Sequence, residues 1–207
     1  GVWEGGVGGH DKYQDLRQFS TGDLMAEVAQ DIDKLKRQLN LQSHSLDTIL
    51  NMAKEKEKML AHIPSIKPVR SDKLKRKVGL LSGFGRRIHP IYKIPKMHYG
   101  IDFTAPRGTP IQATGAGKVI KAGRGSGYGN RVIIDHGFGY QTLYAHMKRI
   151  DVNVGDTVVR GDKIGLVGNT GASTAPHCHY EVTLHNQKVN PLHYCMDGLT
   201  PEEYQEL

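Results

Sequence analysis

The sequence predicts a mainly β domain, built on an antiparallel sheet or a partly closed barrel, that follows a long N-terminal helix or coiled coil. The first observation is that no glycine occurs between Asp23 and Val78 and that the first proline is Pro64. From Gly79 onward glycine recurs every few residues, which is typical of short strands joined by tight turns. The change lies near residues 64–68, where the segment PSIKP cannot continue a helix.

The first half has the apolar spacing of an amphipathic helix. Apolar residues recur at steps of three and four, at Val28, Ile32, Leu35 and Leu39 and then at Leu46, Ile49, Ala53 and Leu60. Thr21 and the following Gly22-Asp23 offer an N-cap, so we predict a helix over about residues 22–62, roughly 60 Å long. A single helix with one apolar stripe is not stable alone and must pack against a partner. A spacer or self-association stalk is the favoured interpretation, and a docking or regulatory role is the other.

The second half is rich in β-forming residues. Six runs are strand candidates, at residues 111–113, 117–122, 130–135, 140–146, 163–167 and 177–182. No helix-length periodic segment lies between Gly79 and Pro191, which argues against a doubly wound nucleotide-binding fold. The glycines from Gly123 to Gly129 precede no helix, so a phosphate-binding loop is not expected. We therefore divide the chain into a loosely ordered lead-in (1–21), a helical stalk (22–66) and a β domain (67–207).

The charge and composition narrow the classes of partner. The formal charge of +7 favours an anionic partner such as an acidic cell-wall polymer or membrane surface. No zinc-finger, helix-turn-helix or RNA-binding motif accompanies it, so no nucleic acid is expected. The chain contains no run near the ~20 apolar residues of a membrane span, and it begins with glycine rather than methionine. We expect a membrane tether through an upstream segment that has been removed. Two cysteines, Cys178 and Cys195, leave the redox compartment undetermined.

The histidines of the second half are arranged as a metal site requires. Three candidate strands place paired polar side chains on one face, because alternate residues of a strand point the same way. The pairs are His98 with Asp102 in HYGID, Tyr144 with His146 in LYAHM, and His177 with His179 in PHCHYEV. Two histidines and one aspartate meet the three-ligand requirement of catalytic zinc. Spacing alone leaves zinc and an incidental cluster equally open, and Cys178 should face the opposite side as a small buried residue.

Longer strings carry a resemblance to a known family. They are SGFGRRIHP (82–90), HYGIDFTAPRGTPIQATGAGKV (98–119), GYGNRVIIDHGFGYQTLYAHM (127–147), VGDTVVRGDKIGLVGNTGASTAPHCHYEV (154–182) and VNPLHY (189–194). The stretch that they span, residues 82–194, is a little over half of the chain. This stretch resembles the LytM/lysostaphin-type zinc metallopeptidases, which are peptidoglycan endopeptidases.

The resemblance implies a fold, a cofactor and a role for five residues. The fold would be a narrow groove over an antiparallel sheet, with one Zn²⁺ per chain. His98, Asp102 and His179 match the metal ligands of the family, and His146 and His177 match its two non-ligand catalytic histidines. None of the five departs from the active pattern, so the resemblance implies a working enzyme.

The resemblance also implies a substrate and a place. The opening SGFGRRIHP and the string IDFTAPRGTPI are closest to Gram-negative-style members. They imply a D,D-endopeptidase that cuts D-alanyl cross-links between stem peptides in the cell envelope, in the periplasm. The alternative is a non-hydrolytic cell-wall-binding or amidase-activating module. Arg86 or Arg87 is a candidate for binding a substrate carboxylate, Tyr92 for lining the groove and Asn169 for shaping its wall.

Overall fold

The computed structural model describes residues 12–69, 79–88 and 93–195. These residues form two compact units that divide within one helix, with Lys56 ending the first unit and Glu57 beginning the second. The predicted division at residues 21 and 66 stays a prediction.

The first unit contains a short 3-10 helix, Gln14–Gln18, and most of helix α1, which spans Gly22–His62. The predicted helix over about residues 22–62 is confirmed. Its apolar stripe is largely exposed, with Ile32 46% and Leu39 70% accessible. No helix in the described part of the chain combines the length and the apolar composition needed to cross a membrane.

The second unit is mainly β. Its strands, in chain order, are β1 (Gly79–Ser82), β2 (Gly85–Ile88), β3 (Pro95–His98), β4 (Ile101–Thr104), β5 (Pro110–Gln112), β6 (Gly117–Gly125), β7 (Gly129–Gly137), β8 (Tyr140–Ile150), β9 (Thr157–Val158), β10 (Lys163–Val167), β11 (His177–Leu184) and β12 (Gln187–Val189). Each of the six runs predicted from the sequence overlaps one of these strands. The additional strands are short, and they include β3 and β4, which carry part of the candidate site.

The larger sheet is antiparallel and open. Its strand order is β1-β4-β11-β8-β7-β6-β9, with β12 beside β11 and with β10 pairing both β5 and β8. Strands β2 and β3 form a separate hairpin-like pair. The outer strands β1 and β9 do not pair with each other within the described residues. The antiparallel sheet is therefore confirmed, whereas a partly closed barrel describes it too strongly.

Side chains of the central strands alternate between a core face and a site face. On β11, Cys178, Tyr180 and Val182 belong to the hydrophobic core, as predicted for Cys178. The intervening residues His177 and His179 line a groove on the other face. The Tyr180 and Tyr144 hydroxyls reach the buried Thr114 Oγ1 at 2.9 and 2.8 Å, so these polar atoms are satisfied inside the core.

The end of α1 and the segment after it belong to the β unit. The Ala116 N–H donates to the Ala61 carbonyl at 2.9 Å, and the Arg160 guanidinium donates to the Leu60 carbonyl. Val69 is almost fully buried and forms a bridge with Ile111 of β5. Residues 57–69 are thus held against the sheet by backbone hydrogen bonds and by the burial of Val69 in the core.

His136 of β7 is a buried histidine outside the groove. Its Nδ1 lies 2.8 Å from the Ala116 carbonyl oxygen and its Nε2 2.7 Å from Thr142 Oγ1. Burial lowers the pKa of the imidazole from 6.5 to about 4, against the opposing effect of the Ala116 carbonyl. His136 is therefore neutral in the folded protein at neutral pH.

We expect His136 to make the folded protein less stable in mild acid. Between pH 6.5 and 4 the unfolded chain binds a proton that folded His136 does not, so stability is lost as the pH falls. The loss reaches about 3 kcal/mol at pH 4, at about 1.4 kcal/mol per pKa unit. Urea unfolding of the wild type and of His136→Gln from pH 7 to 4 measures it, because contributions of other groups cancel in the difference. Parallel pH profiles of the two proteins would contradict this expectation.

Candidate metal centre and groove

Three side chains converge on one point although they are distant in sequence. Asp102 of β4 lies directly opposite His179 of β11 in the antiparallel register, and His98 ends β3. The His179 Nδ1–Asp102 Oδ1 distance is 2.8 Å, His98 Nε2–His179 Nδ1 is 3.1 Å and His98 Nε2–Asp102 Oδ1 is 3.3 Å. His98, Asp102 and His179 form a candidate metal site.

The spacing and chemistry of these donors fit zinc. Tetrahedral zinc with bonds of about 2.0–2.1 Å separates its ligand atoms by about 3.3 Å, close to the three distances found here. Two imidazoles and a carboxylate are a donor set that zinc accepts while keeping a fourth position open. The residues present therefore fit a catalytic zinc ion.

In each of the three side chains, one polar atom faces the other two residues of the site, and a second polar atom contacts a partner outside the site. The outer contacts are His98 Nδ1 to the Gly83 carbonyl at 2.7 Å, His179 Nε2 to Glu181 Oε1 at 2.9 Å, and Asp102 Oδ2 to Arg87 Nη2 at 3.1 Å. Such outer contacts set the tautomer and orientation of metal-binding histidines. Residues of β2, of β11 and of the loop at Gly83 thus hold the three donor atoms of the candidate metal site in place.

The carboxylates at this site are ionised at neutral pH. Burial opposes the charge of Asp102, but hydrogen bonds from His179 and His98 hold the pKa of its carboxyl well below the usual range. Burial likewise opposes the charge of Glu181, yet His179 and Lys188 lower its pKa to about 2. Burial disfavours the charged form of His179, but hydrogen bonds to the two carboxylates raise its pKa overall. Asp102 is therefore an anionic donor at the candidate metal site at neutral pH.

Gly100, between His98 and Asp102, provides space that a side chain would fill. A Cβ there would lie 2.4 Å from the Tyr180 carbonyl oxygen and 2.8 Å from His179 Cε1. Both distances are too short for a real contact. The prediction that His98 and Asp102 share the face of one strand is wrong, because the chain turns at Gly100 between β3 and β4. The missing side chain at Gly100 lets β11 approach this turn.

Two further imidazoles, those of His146 and His177, lie beside the candidate metal site. Their ring centroids are 4.7 Å apart, and His177 Nε2 is 3.7 Å from Asp102 Oδ1. The His146 Nδ1–H donates to the Thr170 carbonyl at 2.7 Å, and the His177 Nδ1–H donates to the Ala175 carbonyl at 2.7 Å. In the neutral form of either ring, Nε2 then carries the lone pair. Burial lowers the pKa of His146 to about 4, so this ring is neutral at neutral pH.

His146 reaches the groove through a β-bulge. Its φ is +58°, a left-handed conformation that is rare for histidine. The register of β7 against β8 shifts between Tyr144 and Met147, where β8 has one extra residue. Tyr144 remains in the core, hydrogen-bonded to Thr114. The prediction that Tyr144 and His146 share a face of a regular strand is therefore wrong, because the bulge redirects His146.

The loop before β11 supports both catalytic candidates. Thr170 receives the Asn130 N–H on its Oγ1 at 3.0 Å, and Gly129 packs against the Thr170 backbone with no room for a Cβ. Asn169 is exposed, and its Oδ1 accepts a hydrogen bond from the Ser173 hydroxyl, which also lies 3.2 Å from His177 Nδ1. Asn169 is not among the residues that line the groove, and its predicted role in shaping the wall stays a prediction.

A groove of about 460 Å³ lies over the candidate metal site and both other imidazoles. Arg87 lines it, whereas Arg86 is exposed on β2 and is not among the lining residues. Tyr92 lies outside the described residues. Sequence reasoning missed Tyr128 and Glu181, which also line the groove. Glu181 follows His179 by two residues, so the same alternation that paired the histidines could have placed it on this face.

Comparisons with known proteins identify the family. The model of peptidase family M23 matches residues 96–191. The solved catalytic domain of lysostaphin, an antimicrobial peptidase from Staphylococcus simulans, is 33% identical, with a TM-score of 0.52 over 56% of this chain and 91% of that domain. The chain belongs to peptidase family M23. The family predicted from the sequence motifs is confirmed.

The chain is also similar to two other peptidases. A solved zinc-containing peptidase from Vibrio cholerae is 37% identical, with a TM-score of 0.53, over 68% of this chain and 40% of that one. The DD-carboxypeptidase/endopeptidase Mpg of Neisseria meningitidis is 46% identical over 121 residues, 58% of this chain. The chain spans only 27% of the length of Mpg.

Proposed function

We propose that this M23 chain is a zinc-dependent peptidoglycan endopeptidase that hydrolyses peptide cross-links, with D,D-specificity for D-alanyl cross-links of stem peptides. The observation that carries the proposal is the convergence of His98, Asp102 and His179 beside two further imidazoles in one groove. The Neisseria relative is named a DD-carboxypeptidase/endopeptidase, which supports this substrate.

In this proposal His98 Nε2, Asp102 Oδ1 and His179 Nδ1 hold one Zn²⁺ per chain. Bound zinc supplies Lewis-acid chemistry, since it polarises a carbonyl and brings the pKa of water to about 7. Gly83, Arg87 and Glu181 keep the three donor atoms turned inward.

His146 and His177 move the protons. Each imidazole fixes its Nδ1–H on a backbone carbonyl, so a neutral ring accepts a proton from the attacking water at Nε2. The ring that accepts this proton then returns it from Nε2 to the leaving amine, and the other ring, when its Nε2 is protonated, donates to the oxyanion. Tying down Nδ1 gives each ring its orientation before the substrate arrives.

The groove residues would bind the rest of the peptide. Arg87 is better placed than Arg86 to meet a substrate carboxylate, because it lines the groove and uses only Nη2 on Asp102. Asn169 would act through the loop that it shares with Ser173. A role for Tyr92 in lining the groove stays a prediction.

The proposal places the chain in the cell envelope, in the periplasm, where stem peptides are found. The alternative of a non-hydrolytic wall-binding or amidase-activating module is not favoured, since the named relatives are peptidases and endopeptidases. A membrane tether upstream of the chain stays a prediction.

We also propose that α1 pairs with a second copy of this chain. Its stripe of large apolar side chains is about half exposed or more, as at Val28, Leu35, Leu46 and Leu60, and a coiled-coil partner would bury such a stripe. Sedimentation equilibrium across micromolar concentrations should give the mass of a dimer, and the mass of a single chain throughout would exclude the pairing.

The enzymatic proposal is tested on purified sacculi. Zinc-loaded protein should convert cross-linked muropeptides to uncross-linked products, a chelator should stop the reaction, and added zinc should restore it. His98→Ala, Asp102→Ala and His179→Ala should lose both zinc and activity. His146→Ala and His177→Ala should retain zinc while turnover falls by about 10²–10⁴.

His193→Ala is the matched control, because His193 is an exposed histidine outside the groove lining, and it should behave as the wild type. Full activity in His146→Ala or His177→Ala would refute the acid–base roles. Stoichiometric zinc without any cleavage would instead point to the wall-binding alternative.

A further inference from the structure

Glu181 is a buried carboxylate outside the proposed ligand set. It is 1% exposed on β11, two residues beyond His179 and on the same face of the strand. An ionised carboxylate this deep is costly unless donors surround it. Its partners therefore indicate what the charge is used for.

One carboxylate oxygen is shared by two donors. The His179 Nε2–H donates to Glu181 Oε1 at 2.9 Å, and the Tyr128 hydroxyl donates to the same oxygen at 2.7 Å. Tyr128 also lines the groove, and its ring centroid is 5.7 Å from that of His179. When Nδ1 gives up its proton to bind a metal ion beside Asp102 and His98, the Glu181 carboxylate keeps the remaining proton of His179 on Nε2.

The other oxygen faces a cation. Lys188 of β12 places Nζ 2.6 Å from Glu181 Oε2, and its side chain is 35% exposed. The strand pair β11–β12 sets this contact, with Thr183 opposite Lys188. Lys188 balances the buried negative charge without touching His179, so the two sides of Glu181 can be tested separately.

We propose that Glu181 is a positioning residue for the metal centre, which acts through His179 to fix its tautomer and to strengthen Nδ1 as a donor, with Tyr128 holding the carboxylate in place. This inference rests on the proposed zinc site. The reasoning is that an acceptor on the outer N–H of a metal-binding histidine orients the ring and raises its basicity.

The test compares zinc dissociation constants of the wild type, Glu181→Gln, Lys188→Met and the double variant, by competition with a chromophoric chelator. Glu181→Gln keeps an oxygen acceptor but removes the charge, and zinc should bind about 10–100-fold more weakly. Lys188→Met, the matched control, removes a partner of Glu181 that does not contact His179 and should stay within about threefold of the wild type. In Glu181→Gln the positive charge of Lys188 loses its carboxylate partner, which could by itself destabilise the fold. The double variant removes both charges and so controls for this effect.

The double variant separates the two roles of Glu181. If the carboxylate acts through His179, the double variant binds zinc as weakly as Glu181→Gln, and the Co²⁺-substituted protein shows a visible spectrum shifted from the wild type. A purely structural Glu181–Lys188 pair predicts the opposite, with affinity and spectrum restored in the double variant, and this would overturn the proposal. Affinity of Glu181→Gln within threefold of the wild type would overturn it as well.

A measurement without any substitution completes the test. Histidine ¹⁵N spectra of the zinc-loaded wild type should show His179 protonated at Nε2 and metal-bound at Nδ1, and the reverse pattern would overturn the inference. A wild type that binds no zinc would instead remove the proposed function itself, which distinguishes the two failures.

Discussion

The antiparallel register between β4 and β11 places Asp102 opposite His179 and brings their side chains to 2.8 Å, although 77 residues separate them. A slip by one residue would turn His179 into the core and bring Cys178 or Tyr180 to the groove, because strand side chains alternate with a period of two. The core prevents this slip. Tyr180 is fully buried with its hydroxyl on Thr114, so a shifted strand would leave that hydroxyl and the histidine without partners.

Two departures from regular strand geometry bring the other side chains of the site to the groove. The missing side chain at Gly100 lets His98 and Asp102 face β11 closely, and the bulge at His146 turns an imidazole from the core face to the groove. A left-handed histidine costs of order 1–3 kcal/mol and persists only where its surroundings hold it. Here the Thr170 carbonyl holds the ring, and the packing of Gly129 on the Thr170 backbone supports it. The left-handed backbone at His146 thus serves to orient an imidazole in the groove.

Much of this arrangement follows from local sequence patterns. Steps of three and four predict α1, since its apolar stripe has a helical period. Alternation predicts that His177 and His179 share a face of β11, because a strand has a period of two. Family motifs add the pairing of distant strands, which no local pattern contains. They single out His98 and Asp102 as partners of His179, and the structure brings all three together.

Other features depend on contacts that the local sequence does not encode. The bulge at His146 is set by the pairing of β8 with β7 rather than by LYAHM itself, so alternation gives the wrong face for this residue. The openness of the sheet depends on which strands remain at its edges. The contact of Arg87 rather than Arg86 with Asp102 depends on the register of β2 against β3.

X-ray absorption at the zinc edge of the loaded protein tests the three-donor centre most directly. Two histidines and one aspartate predict nitrogen and oxygen ligands at about 2.0–2.1 Å, with outer scattering from two imidazoles and no sulfur. A sulfur ligand near about 2.3 Å, which only a cysteine or methionine could supply, would contradict the account. Scattering from three or more imidazoles would contradict it too, since His146 or His177 would then be a ligand rather than a proton carrier.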